Sequence, residues 1–325
     1  MKKIFTAALL AAAVILSGCS AKSSKKTIAV FVPGIMADSP TYAKLAQGVK
    51  DGVEKYNSTK PENEKAEVFI MEAGTNQAEW GPKIISLAAA QKYDLIVSSN
   101  PSIPALVEPI TKQFPKQKFI LLDGDLSGNE NVHTVSYDQT EQAYFSGYMA
   151  GLISKNHKVA LIAAQEYPIM NEVLYPNFAK GAQDAFPGTT SEFRVVGNWY
   201  DANKGMEISD NLIANGVDAI LPVCGGAAQG VIASAVNHGT YITWMDSNAF
   251  SRAPGTIVSC ASVQQNKMAA SVVLEYLEGK TPWGTSRSAG FKDGVIVYED
   301  QDPVYIETVP EEIRTKIAQV VESRR

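Results

Sequence analysis

The chain has 325 residues, 45% of them hydrophobic, with 29 lysines and arginines against 34 acidic residues, three histidines and three cysteines. That length and apolar content suffice for two domains with cores of their own. A formal net charge of −5 without a basic stripe excludes a typical nucleic-acid partner, and His133, His157 and His238 lack metal-ligand spacing.

The N-terminus is the most specific stretch. Lys2 and Lys3 precede an apolar run, IFTAALLAAAVIL, which ends in LSGC at Cys19. A positive start, a short apolar core and small residues describe an export signal. The run falls short of the roughly 20 apolar residues a bilayer-spanning helix needs. LSGC resembles the bacterial lipoprotein box, in which the cysteine becomes the first mature residue and carries lipid. Residues 1–18 are therefore expected to be a signal peptide, whose loss moves the formal charge from −5 to −7. Cys19 is the expected lipidation site, since several acyl chains hold a protein on a membrane. Residues 19–26, polar after the cysteine, form the expected tether. The protein is expected outside the cytoplasm, lipid-anchored to the cell membrane and otherwise soluble.

Strand-like and helix-like segments then alternate. TIAVFVPG (27–34) precedes a helical stretch from Tyr42 to Tyr56, and EVFIMEAG (67–74) a second from Ala78 to Gln91. YDLIVSSN (93–100) precedes a third around Pro104–Gln113; KFILLDGD (118–125) and VHTVSYD (132–138) follow, then the helix EQAYFSGYMAGLIS. A second series runs KVALIAAQEY (158–167), EFRVVGNWYD (192–201), DAILPVCGG (218–226), YITWMDSN (241–248) and TIVSCASVQ (256–264). Short, near-continuous apolar strands separated by amphipathic helices predict parallel sheets covered on both faces. Cys224 and Cys260 fall on separate strands, and two buried free thiols are a better reading than a disulfide.

Two doubly wound domains gather ligand groups beyond the carboxyl ends of their strands. The unusual residues lie there: PGIMADSPTY, EAGTNQAEW, SSNPS and DGD in the first series, QEYP, GNWYD, CGGAAQG and MDSNAF in the second. Facing rows of such loops predict a cleft. GGAAQG lacks both the P-loop ending and the GxGxxG spacing, so it is either an amide cradle or a tight turn with close packing.

At these residues the chain resembles the basic membrane protein family, substrate-binding lipoproteins of ABC importers. The carriers are the lipoprotein box, AYFSGYMAGLI (143–153), GNWYDANKG (197–205) and VCGGAAQGVIASAVNHGTYITWMDSN (223–248). The resemblance implies the type I periplasmic binding protein fold: α/β, two doubly wound parallel-sheet lobes joined by three crossings, near Tyr137–Thr140, Gln264–Asn266 and Ser288–Phe291. Residues 27–138 plus 265–290 would form the N-terminal lobe, and 139–264 plus 291–325 the C-terminal lobe. The nucleoside-binding branch carries Asp-Lys-Ser-Phe-Asn in its first loop, where this chain has ADSPTYAKLAQG. It also has a lysine where Gln264 stands here. VFVPG with SPTY, SNPS and RVVGNWYDANKG resemble a subgroup associated with riboflavin uptake. The resemblance thus implies riboflavin or a related flavin as transported ligand, no cofactor, and an importer's membrane subunits as partners. A purine nucleoside is the alternative, and a surface adhesin a weaker one.

A flat ring with a polar edge and a hydroxylated tail needs stacking surfaces and fixed polar groups. Tyr42 and Trp199 are the expected stacking pair, with Trp80, Tyr167 and Tyr175 as further rings near the rim. Asp246, closing WMD, is the foremost polar candidate, tolerable only if something donates to it. Asn76, Asn100, Gln229, Asn248 and Gln264 complete the set. Asp201 either serves the ligand or caps the next helix; Asp123 and Asp125 either face the cleft or turn the chain; Tyr200 is expected to pack. No Ser-His-acid set or GxSxG motif is present, so capture without catalysis is expected.

Overall fold

In the computed structural model, which describes residues 25–325, the chain builds two six-stranded sheets. The first lobe starts with β1 (Thr27–Val32), α1 (Pro40–Asn57), β2 (Glu67–Glu72), α2 (Trp80–Ala89), β3 (Leu95–Ser99), α3 (Ile103–Gln113), β4 (Lys118–Leu122) and β5 (Val132–Tyr137). The second contains α4 (Thr140–Ile153), β6 (Lys158–Ala163), α5 (Tyr175–Ala185), β7 (Thr190–Val195), α6 (Ala202–Ala214), β8 (Ala219–Val223), α7 (Ala228–His238), β9 (Tyr241–Asp246) and β10 (Ile257–Val263). The chain then returns: α8 (Gln265–Leu277) lies against α1, β11 (Ser286–Ala289) pairs with β5, and β12 (Ile296–Tyr298) pairs with β10. Helices α9 (Pro303–Thr308) and α10 (Glu311–Ser323) end the chain.

The sheet orders are β2-β1-β3-β4-β5-β11 and β7-β6-β8-β9-β10-β12. One topology is thus used twice, and only the sixth strand differs: β11 runs parallel to its neighbour, β12 antiparallel. The backbone crosses between lobes three times, at 137–140, 263–265 and 289–296.

Central strands β3, β8 and β10 are buried at every position, as expected where helices cover both faces. Edge strands β2 and β7 carry Glu67, Glu72, Glu192 and Arg194, charges that discourage edge-to-edge pairing. Each face of the first sheet has its own apolar cluster, Leu45, Val49 and Val272 on one side and Trp80, Ile84 and Val107 on the other. In the second lobe α4 contributes Phe145 and Met149 to one cluster and Ala143 and Ala150 to the next, so it is packed on opposite sides, with the buried Gln142 and Ser146 hydrogen-bonded between them. Its glycines set the spacing to α5. A Cβ on Gly147 would lie 1.9 Å from the Phe178 carbonyl oxygen, and one on Gly181 would lie 2.2 Å from that of Tyr144. AYFSGYMAGLI is therefore a packing motif.

Cys224 and Cys260 are buried free thiols, as the sequence suggested. The expected signal peptide and Cys19 lie outside the described residues. Among the described residues no helix is long and apolar enough to cross a membrane.

Candidate functional site

Loops from the carboxyl ends of both sheets meet and enclose a cavity of about 90 Å³. The first lobe supplies residues after β1, β3 and β4; the second supplies residues after β6, β7, β8 and β9.

In the first lobe, Ser39 caps α1 by accepting from the Tyr42 N–H at 3.4 Å, and Pro40 occupies the opening turn. That start places Tyr42 on the cavity wall. Its hydroxyl accepts from Asn100 Nδ2 at 3.0 Å, and Asn100 Oδ1 in turn accepts from the Ser102 N–H at 2.9 Å. Burial holds the Tyr42 hydroxyl protonated, well above the usual range.

In the second lobe, GNWYD is organised by its own polar groups. Asn198 Oδ1 accepts from the Tyr200 and Asp201 N–H groups, both at 2.8 Å, and Asp201 caps α6 by accepting from the Lys204 N–H at 2.9 Å. Trp199 is left on the cavity wall, its ring 6.2 Å from that of Tyr167 with 20° between planes. The Trp199 indole N–H is buried and has no acceptor among the described residues. Such a donor costs stability unless a ligand or solvent accepts from it. Gly225 lies beneath this ring: a Cβ there would approach it to 3.1 Å, so GGAAQG is a close-packing turn that also lines the cavity.

Tyr200 does more than pack. Its hydroxyl donates to the Pro33 carbonyl oxygen at 2.9 Å, a bond from one lobe to the other. A Cβ on Gly34 would lie 2.2 Å from that hydroxyl and 2.9 Å from Tyr42 Cε2, so the two tyrosines meet over a residue without a side chain.

Asp123 directly follows β4 and Asp246 ends β9, the fourth strand of each lobe. Both hold left-handed backbone, φ +56° and +75°, which aspartate tolerates better than most residues. Both line the cavity. Burial pushes the Asp123 carboxyl up to about 8, with the Asp246 charge adding to it. Burial pushes Asp246 up to about 6, partly offset by Lys44. Among the described residues, no lysine, arginine or histidine lines the cavity. The apolar wall comes from a π-helical turn, Ile169–Leu174, ahead of α5, whose wide pitch brings Ile169, Met170 and Leu174 to the surface of the cavity. A second cavity of about 260 Å³ adjoins and shares Pro101, Asp123, Gln139 and Ile169 with the first.

Of the residues expected at the ligand, Tyr42, Asn100, Trp199 and Asp246 line the first cavity and Tyr167 the second. Six others stand away from both. Asn76 is exposed and caps a short turn by accepting from the Ala78 N–H. Trp80 is buried in its own lobe, its Nε1 donating to the Gly74 carbonyl oxygen at 2.9 Å. The Tyr175 hydroxyl donates to the Ser191 carbonyl oxygen and its ring packs on Phe193. Gln229 is exposed on α7, Asn248 donates to Asp302 at 2.8 Å, and Gln264 sits in a crossing, bonded to Ser262. Sequence reasoning missed Gln139, Tyr200 and the π-helical turn, and left Asp123 open. Asp123 had a usable signal, since it ends the same strand of its lobe as Asp246 does.

The family model for "ABC transporter substrate-binding protein PnrA-like", Bmp, matches residues 25–324. The chain belongs to the Bmp family. It is 23% identical over 315 residues to basic membrane protein A2 of Borrelia garinii, covering 91% of this chain and 87% of that one. It is 24% identical over 148 residues to the ABC transporter nucleoside-binding protein BmpA of Lactococcus lactis, covering 46% and 42% respectively. Among solved structures, an ABC transporter solute-binding protein from Aeropyrum pernix superposes with a TM-score of 0.74 at 17% identity, covering 92% of this chain and 86% of that one. A likeness at that identity speaks to the fold, the type I periplasmic binding protein fold expected from the sequence.

Proposed function

We propose that this Bmp-family chain is the extracytoplasmic receptor of an ABC importer, held to the membrane through Cys19, and that its cleft captures a purine nucleoside. The carrying observation is the cavity chemistry: three aspartates line it, Asp38 near the start of α1 and Asp123 and Asp246 at strand ends, beside Tyr42, Trp199 and apolar side chains, with no cation among the described residues. Buried acids of that kind call for hydrogen-bond donors, which ribose hydroxyls and purine N–H groups supply. A phosphorylated ligand would meet like charge and no base. A ring against Trp199 contributes about 0.5–1.5 kcal/mol beyond its buried area. The Lactococcus lactis relative, named as nucleoside-binding, supports the same reading.

Capture proceeds by lobe rotation about the crossings. A ligand that touches both lobes favours the closed state by its differential affinity. The Tyr200–Pro33 bond forms only when the lobes meet. Riboflavin is the second reading, favoured by the near-parallel Tyr167 and Trp199 rings, which extend the stacking surface. The comparisons back the nucleoside better than the flavin.

Calorimetric titration of residues 20–325 with inosine, guanosine and riboflavin tests the proposal. Nucleoside binding that Asp246→Ala weakens by about 10–100-fold, the range for a hydrogen bond to a charged group, is the expected result. Riboflavin binding alone, with co-eluting yellow colour, would replace the nucleoside by the flavin. No binding of any of the three would remove the proposed ligand class.

A further inference from the structure

The first cavity, about 90 Å³, is far below the roughly 300–1,000 Å³ usual for small-molecule sites. The adjoining chamber, about 260 Å³, is the larger of the two, and joined they reach the lower end of that range. The boundary between them is made of Pro101 and Asp123 from the first lobe, Ile169 from the second and Gln139 from a crossing. Residues of both lobes and of a crossing thus stand between the two chambers, so one ligand that reaches past them would occupy both.

We propose that the adjoining chamber is a second subsite, taking an apolar extension carried by the flat ring of the ligand. The inference rests on the capture reading above. Its walls include Tyr137, Tyr167, Pro101, Pro168 and Ile169. Both tyrosine hydroxyls are engaged elsewhere: Tyr137 donates to buried Gln265, which itself donates to Ser99, and Tyr167 donates to Gln165. What these side chains offer a guest is ring surface. Among the described residues, no lysine, arginine or histidine lines the chamber, while Asp123 and Asp125 do. An anionic extension such as a phosphate would lose its hydration there without gaining a partner, whereas an aromatic or aliphatic group loses only apolar contact with water. The ligand class is a purine-sized heterocycle bearing an apolar group, whether the fused ring of a flavin or a substituent on the base of a nucleoside.

Ser136 and Pro168 line only this second chamber. Residues 20–325 with Ser136→Phe, and separately with Pro168→Trp on the exposed rim, are titrated with adenosine, N6-benzyladenosine and riboflavin after circular dichroism confirms folding. The expected result is a loss of about tenfold or more for an extended ligand while adenosine stays within about threefold, a difference of about 1.4 kcal/mol per factor of ten. A loss confined to riboflavin assigns the fused ring, and one confined to N6-benzyladenosine assigns the substituted base. Equal loss for adenosine and the extended ligands, or extended ligands unaffected by both variants, overturns the subsite while leaving capture intact. Folded wild-type protein that binds none of the three overturns the capture reading and the subsite with it.

Discussion

The second strand of each lobe leads into its helix through a similar loop, yet the two tryptophans in those loops have opposite fates. After β2 the chain turns at Gly74, φ +74°, and Asn76 caps a short turn before Trp80 opens α2. After β7 it turns at Gly197, φ +100°, and Trp199 comes before the cap, Asp201. A tryptophan inside the helix is carried onto the sheet beneath it, and Trp80 is 1% exposed with its indole N–H satisfied. A tryptophan ahead of the cap has no helix to orient it inward. It stands at the cleft with its indole N–H unpartnered. Position relative to the cap, not residue type, separates core from site.

Exchanging the roles of these rings gives the largest expected effect. Trp80→Ala leaves a cavity in a closed core and an orphaned Gly74 carbonyl, so denaturant unfolding should show a loss of about 3–5 kcal/mol. Its ligand affinity, measured while folded, should stay within about threefold. Trp199→Ala should do the reverse, with a loss of affinity beyond about tenfold and a smaller loss of stability, because its indole N–H has no bond to break. Parallel behaviour of the two variants would show that the loops are equivalent after all.

Much of this molecule could be read before its structure was seen. Continuous apolar strands revealed both sheets, because burial on two faces removes the polar alternation that obscures an exposed strand. Tyr42, Asn100, Trp199 and Asp246 were locatable because ligand groups collect at strand ends. The same rule also selected Asn76 and Asn248, which satisfy local backbone instead. Asparagine at a strand end does either task, and spacing alone does not separate them. Tyr200 was illegible for another reason. Its partner, the Pro33 carbonyl, is a backbone atom 167 positions earlier, so no side-chain pattern announces the contact. The π-helical turn was equally hidden, since Ile169, Met170 and Leu174 lie in an ordinary apolar stretch.

Gly34 and Gly197 extend the comparison to backbone. Gly197 needs its positive φ but has open space around it, so Gly197→Ala should cost roughly 1–2 kcal/mol of stability and leave closure alone. At Gly34 the obstacle is the other lobe. A Cβ 2.2 Å from the Tyr200 hydroxyl and 2.9 Å from Tyr42 Cε2 must displace one ring from each lobe out of this seat, an overpacking cost of about 1–3 kcal/mol charged to the closed state. Affinity for the ligand should fall by about tenfold or more, and small-angle scattering should find a larger radius of gyration in saturating ligand. Tyr200→Phe removes the same contact more gently, and its effect should stay near 1 kcal/mol. A Gly34→Ala protein that closes and binds like wild type would sever the link between this seat and capture.

The smallest expected effect concerns the matched acids at the ends of β4 and β9. Both carboxyls are raised by burial, Asp123 to about 8 and Asp246 to about 6; the Asp246 charge raises Asp123 further, and Lys44 favours the charged form of Asp246. A raised carboxyl stabilises the folded state fully below the unfolded value, about 4, and that contribution is lost as pH rises through the folded value. The ligand-free protein should therefore lose stability from pH 4 upward, the Asp246 share ending near 6 and the Asp123 share near 8. The loss is bounded by an escape route. Opening the cleft rehydrates both acids, so the penalty cannot exceed the cost of separating the lobes, which includes the Tyr200–Pro33 bond, about 1 kcal/mol. Thermal midpoints recorded from pH 4 to 8 should accordingly fall by only a few degrees. Asp123→Asn should flatten the curve up to 8, since Asp123 is the only acid of the two acting between 6 and 8. Asp246→Asn should act chiefly below 6 and lower the upper limit of the Asp123 share by removing the Asp246 charge. Identical curves for both variants would mean that the two ends of the cleft do not differ electrostatically.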